Sequence, residues 1–254
     1  MSKLKWFALA AVVVAVGIFI FYRNDEPRDE FVLKNGKRLV IRPVKHTSIQ
    51  IQYDGMEIEV DPVSSAVRPI VDYTDKPKAD FILVTNDHQD HFDPYAVGLL
   101  AKPSTNILLP SRCFRRLSRT ALRNNCVIMR NNFKADLGKG VTVYALPAYI
   151  LTPGKLSHAP KSWANGYLLD FDGFRVYIAG DTELIPEMQQ LKDIDIAFLP
   201  CDHLEAMDVA QFARAVRIIR PRTLYPCHFG VTGIDSIRQA TEGLNVDLRI
   251  RDLR

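Results

Sequence analysis

Two Asp-Gly pairs, one in each half of the chain, stand between runs of alternating apolar and polar residues, and they constrain the fold more than any other feature. Ile49, Ile51 and Tyr53 alternate with polar residues up to Asp54-Gly55, and Met56, Ile58 and Val60 resume the alternation. A two-residue Asp-Gly loop takes positive φ at both positions, which matches the twist of paired antiparallel strands. The segment therefore reads as a hairpin with one buried face. Residues 167–171, the turn Asp172-Gly173 and residues 174–179 repeat the pattern. Phe81-Ile82-Leu83-Val84 is instead a continuous apolar run, the mark of a strand covered on both faces.

Further short strands are expected at 107–109, 127–129, 141–146, 194–199, 223–227 and 246–250. Val209, Phe212, Val216 and Ile219 recur at helical spacing, and Pro221 ends that helix. Strand-rich blocks in both halves with helices between them predict an α/β fold of two sheets packed face to face with helices outside, although other α/β layouts fit the pattern too. No internal repeat is visible. Hydrophobic content of 47% and charged content of 24% supply a sizeable core. The formal net charge of +4 is modest and carries no nucleic-acid footprint.

The N-terminus sets a second constraint. Residues 6–22 form a run of 17 without a charge, about 25 Å long as a helix, at the short end of what spans a bilayer. Bulky Phe19, Ile20, Phe21 and Tyr22 close the run where a signal-peptide cleavage site needs small residues, so it reads as an uncleaved single-pass anchor. Lysines at 3 and 5 place the N-terminus weakly in the cytoplasm and the rest of the chain outside it. The organisation expected is an anchor at 1–22, a charged linker at 23–30 and one domain at 31–254. Four cysteines fit no CxxC pattern; Cys201 and Cys227, both at strand ends, are the pair that an oxidising compartment could join, and buried free thiols are the alternative.

Chemistry concentrates in a few segments. Two of only six histidines lie in Thr85-Asn86-Asp87-His88-Gln89-Asp90-His91, between the buried strand and a helix start with Asp93 as N-cap and Pro94 at the first helical position. A short loop held at both ends can aim several side chains at one point, as metal coordination requires. Neutral imidazoles and a carboxylate suit zinc, with manganese or iron as alternatives. His158 lies in a Pro/Gly-rich loop, Asp181 in Ala179-Gly180-Asp181-Thr182 at a strand end, and His228 in Pro226-Cys227-His228 after another strand. Strand ends are where α/β enzymes build sites.

In this order the residues resemble the motif series of the metallo-β-lactamase superfamily: HxHxDH, a later His, an Asp and a final His. Asp61-Pro62, Gly180-Asp181-Thr182, Leu199-Pro200 and Pro226-x-His228 further resemble its lactonase-like and N-acylphosphatidylethanolamine phospholipase D-like branch. The resemblance spans residues from about 31 to 230. It implies a four-layer αββα sandwich, with His88 and His158 serving a first metal, Asp90, His91 and His228 a second, and Asp181 bridging them. One position departs: the first histidine of HxHxDH is Asn86 here, and an amide oxygen is a poorer ligand than imidazole for a borderline-soft metal. The resemblance therefore implies one tightly held ion in the second site and a weakened first site.

The mechanism implied is metal-assisted hydrolysis, in which the cation brings the pKa of its water toward about 7 and polarises the scissile group. Asp90 and His88 are the candidate catalytic residues. The substrates implied are small molecules or lipids carrying a phosphodiester, ester or lactone bond. A metal-free binding protein that kept only the fold is the rival. Among weaker signals, His203 reads as a surface histidine, with a cavity-facing role as the alternative, and His46 as structural. Asp208 caps the helix that follows it. Arg112, Arg115, Arg116, Arg119 and Arg123 fall at helical spacing and predict one basic face, solvated or set against anionic headgroups.

Overall fold

Both Asp-Gly pairs form two-residue hairpin loops with positive φ throughout: 50° and 71° at Asp54-Gly55, 54° and 89° at Asp172-Gly173. The structure is a computed structural model that describes residues 27–117, 121–156 and 160–254. The first hairpin joins β3 (Ser48–Tyr53) to β4 (Met56–Val60). Before it come β1 (Asp29–Val32) and β2 (Arg38–Lys45), and after it β5 (Phe81–Leu83), α1 (Pro94–Leu100), β6 (Asn106–Leu109), α2 (Ser111–Arg116) and β7 (Cys126–Ile128). The second half holds β8 (Lys134–Gly138), β9 (Val141–Ala148), β10 (Ala164–Phe171), β11 (Phe174–Ile178), β12 (Ile196–Pro200), α3 (Val209–Ile219), β13 (Thr223–Cys227), α4 (Ile234–Thr241) and β14 (Asp247–Leu248).

Each half makes a seven-stranded sheet in sequential order, β1 to β7 and β8 to β14. In both, the early strands pair antiparallel and the later ones parallel, the change falling at β4–β5 and at β11–β12. The apolar run at β5 divides as expected. Leu83 faces the core between the sheets, while Ile82 and Val84 pack outward with Val97, Leu100 and Cys113 beneath α1 and α2. On the far side Phe212, Val216 and Ile219 of α3 and Ile237 of α4 cover the second sheet. The result is the two-sheet α/β sandwich with helices outside. Asp93 caps α1 by accepting from the Tyr95 N–H, and Asp208 caps α3 by accepting from the Gln211 N–H.

Several expectations change. β1 begins at Asp29, inside the segment read as a linker, because the Asp29 carboxylate is paired: it accepts from the Tyr225 hydroxyl at 2.7 Å and from Arg251 at 2.7 Å. Arg119 lies outside the described residues, and the other arginines do not form one helical face. α2 stops after six residues, and Arg123 sits on a separate 3₁₀ turn with its guanidinium 3.9 Å from the Phe114 ring centroid. Cys201 and Cys227 lie on neighbouring strands, joined by a Cys201 N–H to Cys227 carbonyl bond of 3.1 Å, and all four thiols are free. The apolar run at 6–22 lies outside the described residues. Among the described residues, no helix is long and apolar enough to cross a membrane.

Candidate metal centre

Every described side chain of the centre leaves the end of a strand or a strand-to-strand turn on one edge of the sandwich. β2 and β3 turn through His46 and Thr47, β4 ends at Asp61, β5 runs into the loop of His88, Asp90 and His91, β11 into Asp181, and β13 into His228. Gly180 lets the two sheets meet here. At φ 66°, any Cβ would stand 2.9 Å from the Asn165 carbonyl oxygen and 3.2 Å from the Thr85 Cβ. The Asn165 N–H in turn bonds the Thr85 carbonyl at 2.8 Å. His46, Asp61 and His228 all hold left-handed backbone, at φ 50°, 43° and 46°. Such strain persists where surrounding contacts fix the conformation, and it clusters at functional sites.

The centre gathers around Asp181. Its Oδ1 lies 3.1 Å from His91 Nε2 and 3.5 Å from His228 Nε2. His228 Nε2 is also 3.7 Å from Asp90 Oδ2. None of these approaches makes an aligned hydrogen bond, so His91 Nε2, His228 Nε2 and Asp181 Oδ1 are buried without partners. Burying three such atoms unsatisfied is costly, and a cation among them removes the cost. The other ring nitrogen of His91 shows the same purpose. Its Nδ1 is 2.8 Å from Asp61 Oδ2, and Asp61 also accepts from the Thr85 N–H at 2.7 Å and the Thr85 hydroxyl at 2.6 Å. With Nδ1–H donated to a fixed carboxylate, Nε2 presents its lone pair to the cluster.

Charge is tuned to match. Burial alone would push the Asp181 carboxyl up, but His91 and His228 beside it hold it well below the usual carboxylate range. Burial would push His91 down, and Asp181 and Asp61 instead raise it well above the ordinary imidazole value, so a cation entering the cluster would take the place of a proton on the ring. Asp90 is likewise held low against its burial by His46 and His91. Carboxylates that stay ionised in a buried pocket are suited to a divalent cation.

The first half of the expected centre is thinner. His88 reaches Asp181 Oδ2 through Nδ1 at 3.4 Å, with 40% of its side chain exposed. Asn86 does not offer its oxygen to the cluster: Oδ1 accepts from the His88 N–H at 2.8 Å, and Nδ2 donates to Asp181 Oδ2 at 3.1 Å. His158 lies outside the described residues. His203 is exposed, as expected of a surface histidine.

Three contributors were missed from sequence. His46 is part of the cluster: a ligating atom of each of His46, Asp90, His91 and His228 lies within 4.8 Å of the others. Glu205, in the turn after β12, brings Oε2 to 3.2 Å from His228 Nε2. The signal available was a carboxylate two positions after His203, in a loop that follows a buried strand. Asp61 was read only as half of an Asp-Pro pair. Beside the motif loop, the Arg112 guanidinium lies 4.0 Å from the Trp163 ring centroid while its Nε bonds Asp87 of that loop at 3.2 Å.

Comparisons with known proteins show the family and the fold. A solved protein from Parabacteroides distasonis, with the working name metal-dependent hydrolase, is 42% identical, superposes with a TM-score of 0.82, and matches over 90% of this chain and 99% of that one. A UPF0173 metal-dependent hydrolase of Nitratidesulfovibrio vulgaris is 30% identical over 194 residues, 73% of this chain and 77% of the relative. Another from Archaeoglobus fulgidus is 25% identical over 212 residues, 77% and 87% of the two chains. The Igni18 metallo hydrolase of Ignicoccus hospitalis shares the fold, with a TM-score of 0.71 at 21% identity over 85% of this chain and 95% of that one. The beta-lactamase superfamily domain profile matches residues 57–229, from β4 to the residue after the last histidine of the centre. The chain belongs to that family.

Proposed function

We propose that this chain, a metal-dependent hydrolase of the metallo-β-lactamase superfamily, works with a single divalent cation, zinc in the first instance, and cleaves a phosphodiester bond or a lactone or related ester bond. The observation that carries this reading is the convergence of His91 Nε2, His228 Nε2 and Asp181 Oδ1, buried and without hydrogen-bond partners, beside Asp90. Imidazole and carboxylate donors in this number fit a zinc-like ion. When bound there, the cation would acidify water and polarise the oxygen of the scissile bond.

The protein's own groups supply the rest. Asp61 holds the His91 ring so that Nε2 faces the cluster. Asp90, with 24% of its side chain exposed, and His88 stand on the open side, where they orient the attacking water and accept its proton. Arg112, held by Asp87 of the motif loop and by Trp163, sits beside that loop, and its guanidinium tilts the reading toward anionic substrates such as phosphodiesters. In this reading the apolar run at 6–22 anchors the enzyme as a single-pass protein with its catalytic domain on the extracytoplasmic face, close to lipid substrates.

The test is a hydrolysis panel of phosphodiesters, lactones and simple esters on the full-length enzyme. Turnover of one class should vanish on chelation, return with added metal, and be lost in Asp90→Asn. A chain that purifies without metal and turns over none of the panel would be a silent scaffold, and the reading would fall.

A further inference from the structure

Resting on the cation site proposed above, we infer that His46 is itself a ligand of that cation, outside the motif series that identified the other donors. The argument begins with what its two ring nitrogens face. Nδ1 lies 3.0 Å from the main-chain oxygen of Arg254, and Nε2 lies 3.1 Å from Asp90 Oδ2. Both neighbours are acceptors, whereas a neutral imidazole has one N–H to give. Donating Nδ1–H to Arg254 leaves the Nε2 lone pair opposite a carboxylate oxygen. A cation shared by Nε2 and Asp90 turns that opposition into coordination, and the Arg254 oxygen then fixes the ring tautomer just as Asp61 does for His91.

The rings are arranged accordingly. The His46 ring centroid is 4.0 Å from that of His228 and 5.6 Å from that of His91, and the Nε2 atoms of all three imidazoles lie within 4.0 Å of Asp90 Oδ2. Donors sharing one cation at bonds of about 2.1 Å can be no more than ~4.2 Å apart. The four ligating atoms already lie within 4.8 Å of one another, so shifts of a few tenths of an ångström bring them into one coordination sphere. His46 holds its left-handed backbone in the turn between the paired strands β2 and β3. With Asp181 alongside, the shell holds five protein donors, more than the four of a tetrahedral structural zinc site.

Metal binding to the full-length chain tests this with a readout independent of turnover. Wild type, His46→Gln, His91→Gln and His203→Gln are stripped and titrated with Zn²⁺ against a chromophoric chelator, then with Co²⁺ while its visible absorption is recorded. Wild type and His203→Gln should bind one Co²⁺ with weak bands, as five or more donors give. His46→Gln should bind at least tenfold more weakly, with stronger bands because a donor has gone. Weaker binding with an unchanged Co²⁺ spectrum would make His46 a positioning residue only and overturn the inference. Unchanged affinity would overturn it as well. Loss of binding by wild type itself would instead remove the cation site on which the inference rests. Should His46→Gln fail to fold, the Zn²⁺-loaded wild-type crystal decides. His46 Nε2 at about 2.1 Å from the anomalous peak supports the inference, and a separation beyond about 3 Å overturns it.

Discussion

His88 and His91 leave the same loop three residues apart, yet the structure treats them differently. His91 is fully buried, and its Nδ1 is faced by Asp61 at 2.8 Å, Thr85 at 3.1 Å and Thr47 at 3.2 Å. His88 is 40% exposed and, among the described candidate ligands, pairs with Asp181 alone, at 3.4 Å, and the residue two positions before it spends its amide on that same carboxylate. A metal ligand is as good as the group that orients it. The outer nitrogen of His91 has such groups around it, and no such group is seen at His88 among the described residues. With the Asn86 amide bonded to Asp181, the single ion proposed above belongs on the His91 side.

The largest effect should come from His91→Ala, which removes a buried donor and leaves Asp61 and Asp181 without it; binding of the first cation should fall below detection by chelator competition. His88→Gln in the same assay should stay close to wild type, and equal losses in the two variants would erase the contrast. The next effect tests the scaffold behind the stronger half. Buried Lys45, beside His46, donates to the carbonyls of Ser64, Val67 and Pro69 at 2.7 to 2.8 Å, and Ser64 donates to Asp93, the cap that ends the motif loop. Lys45→Met orphans those carbonyls and should cost about 3 kcal/mol in urea denaturation.

Asp61→Asn sharpens the comparison further. It takes the acceptor from His91 Nδ1 while keeping the shape, and metal affinity should drop ~10–100-fold. The last effect is a pH slope. Glu59 on β4 is buried with its carboxyl pushed up to about 8, chiefly by desolvation, while Gln50 donates to it at 2.6 Å. Its folded pKa lies above the usual 4.5, so the folded state binds a proton that the unfolded state has lost. Stability should therefore decline as pH rises from about 4.5 to about 8, and Glu59→Gln should flatten that decline in thermal melts across the range.

Much of this was legible in the chain because the rules involved are local. Asp54-Gly55 and Asp172-Gly173 specify their turns by conformation alone, and β5 showed its two covered faces by lacking any alternation. The motif residues Asp90, His91, Asp181 and His228 announced themselves by type and by position after strands. His46 could not, because its partners Asp90 and Arg254 lie 44 and 208 positions away. β1 was hidden by its charge, since Asp29 looks like linker until Arg251 and Tyr225 close on it from the other end of the chain. The repeated sheet order of the two halves was invisible too. It is preserved as strand pairing, which many residue choices satisfy, and leaves no repeated letters.

The central claim is one well-supported cation site beside a disabled one, and metal stoichiometry tests it most directly. Full-length wild type and Asn86→His should be dialysed against metal-free buffer, offered excess Zn²⁺, dialysed again and assayed for metal per chain. The account predicts one ion in wild type and two in Asn86→His, where an imidazole replaces the amide now bonded to Asp181. Two tightly held ions in wild type, or no gain in the variant, would contradict it.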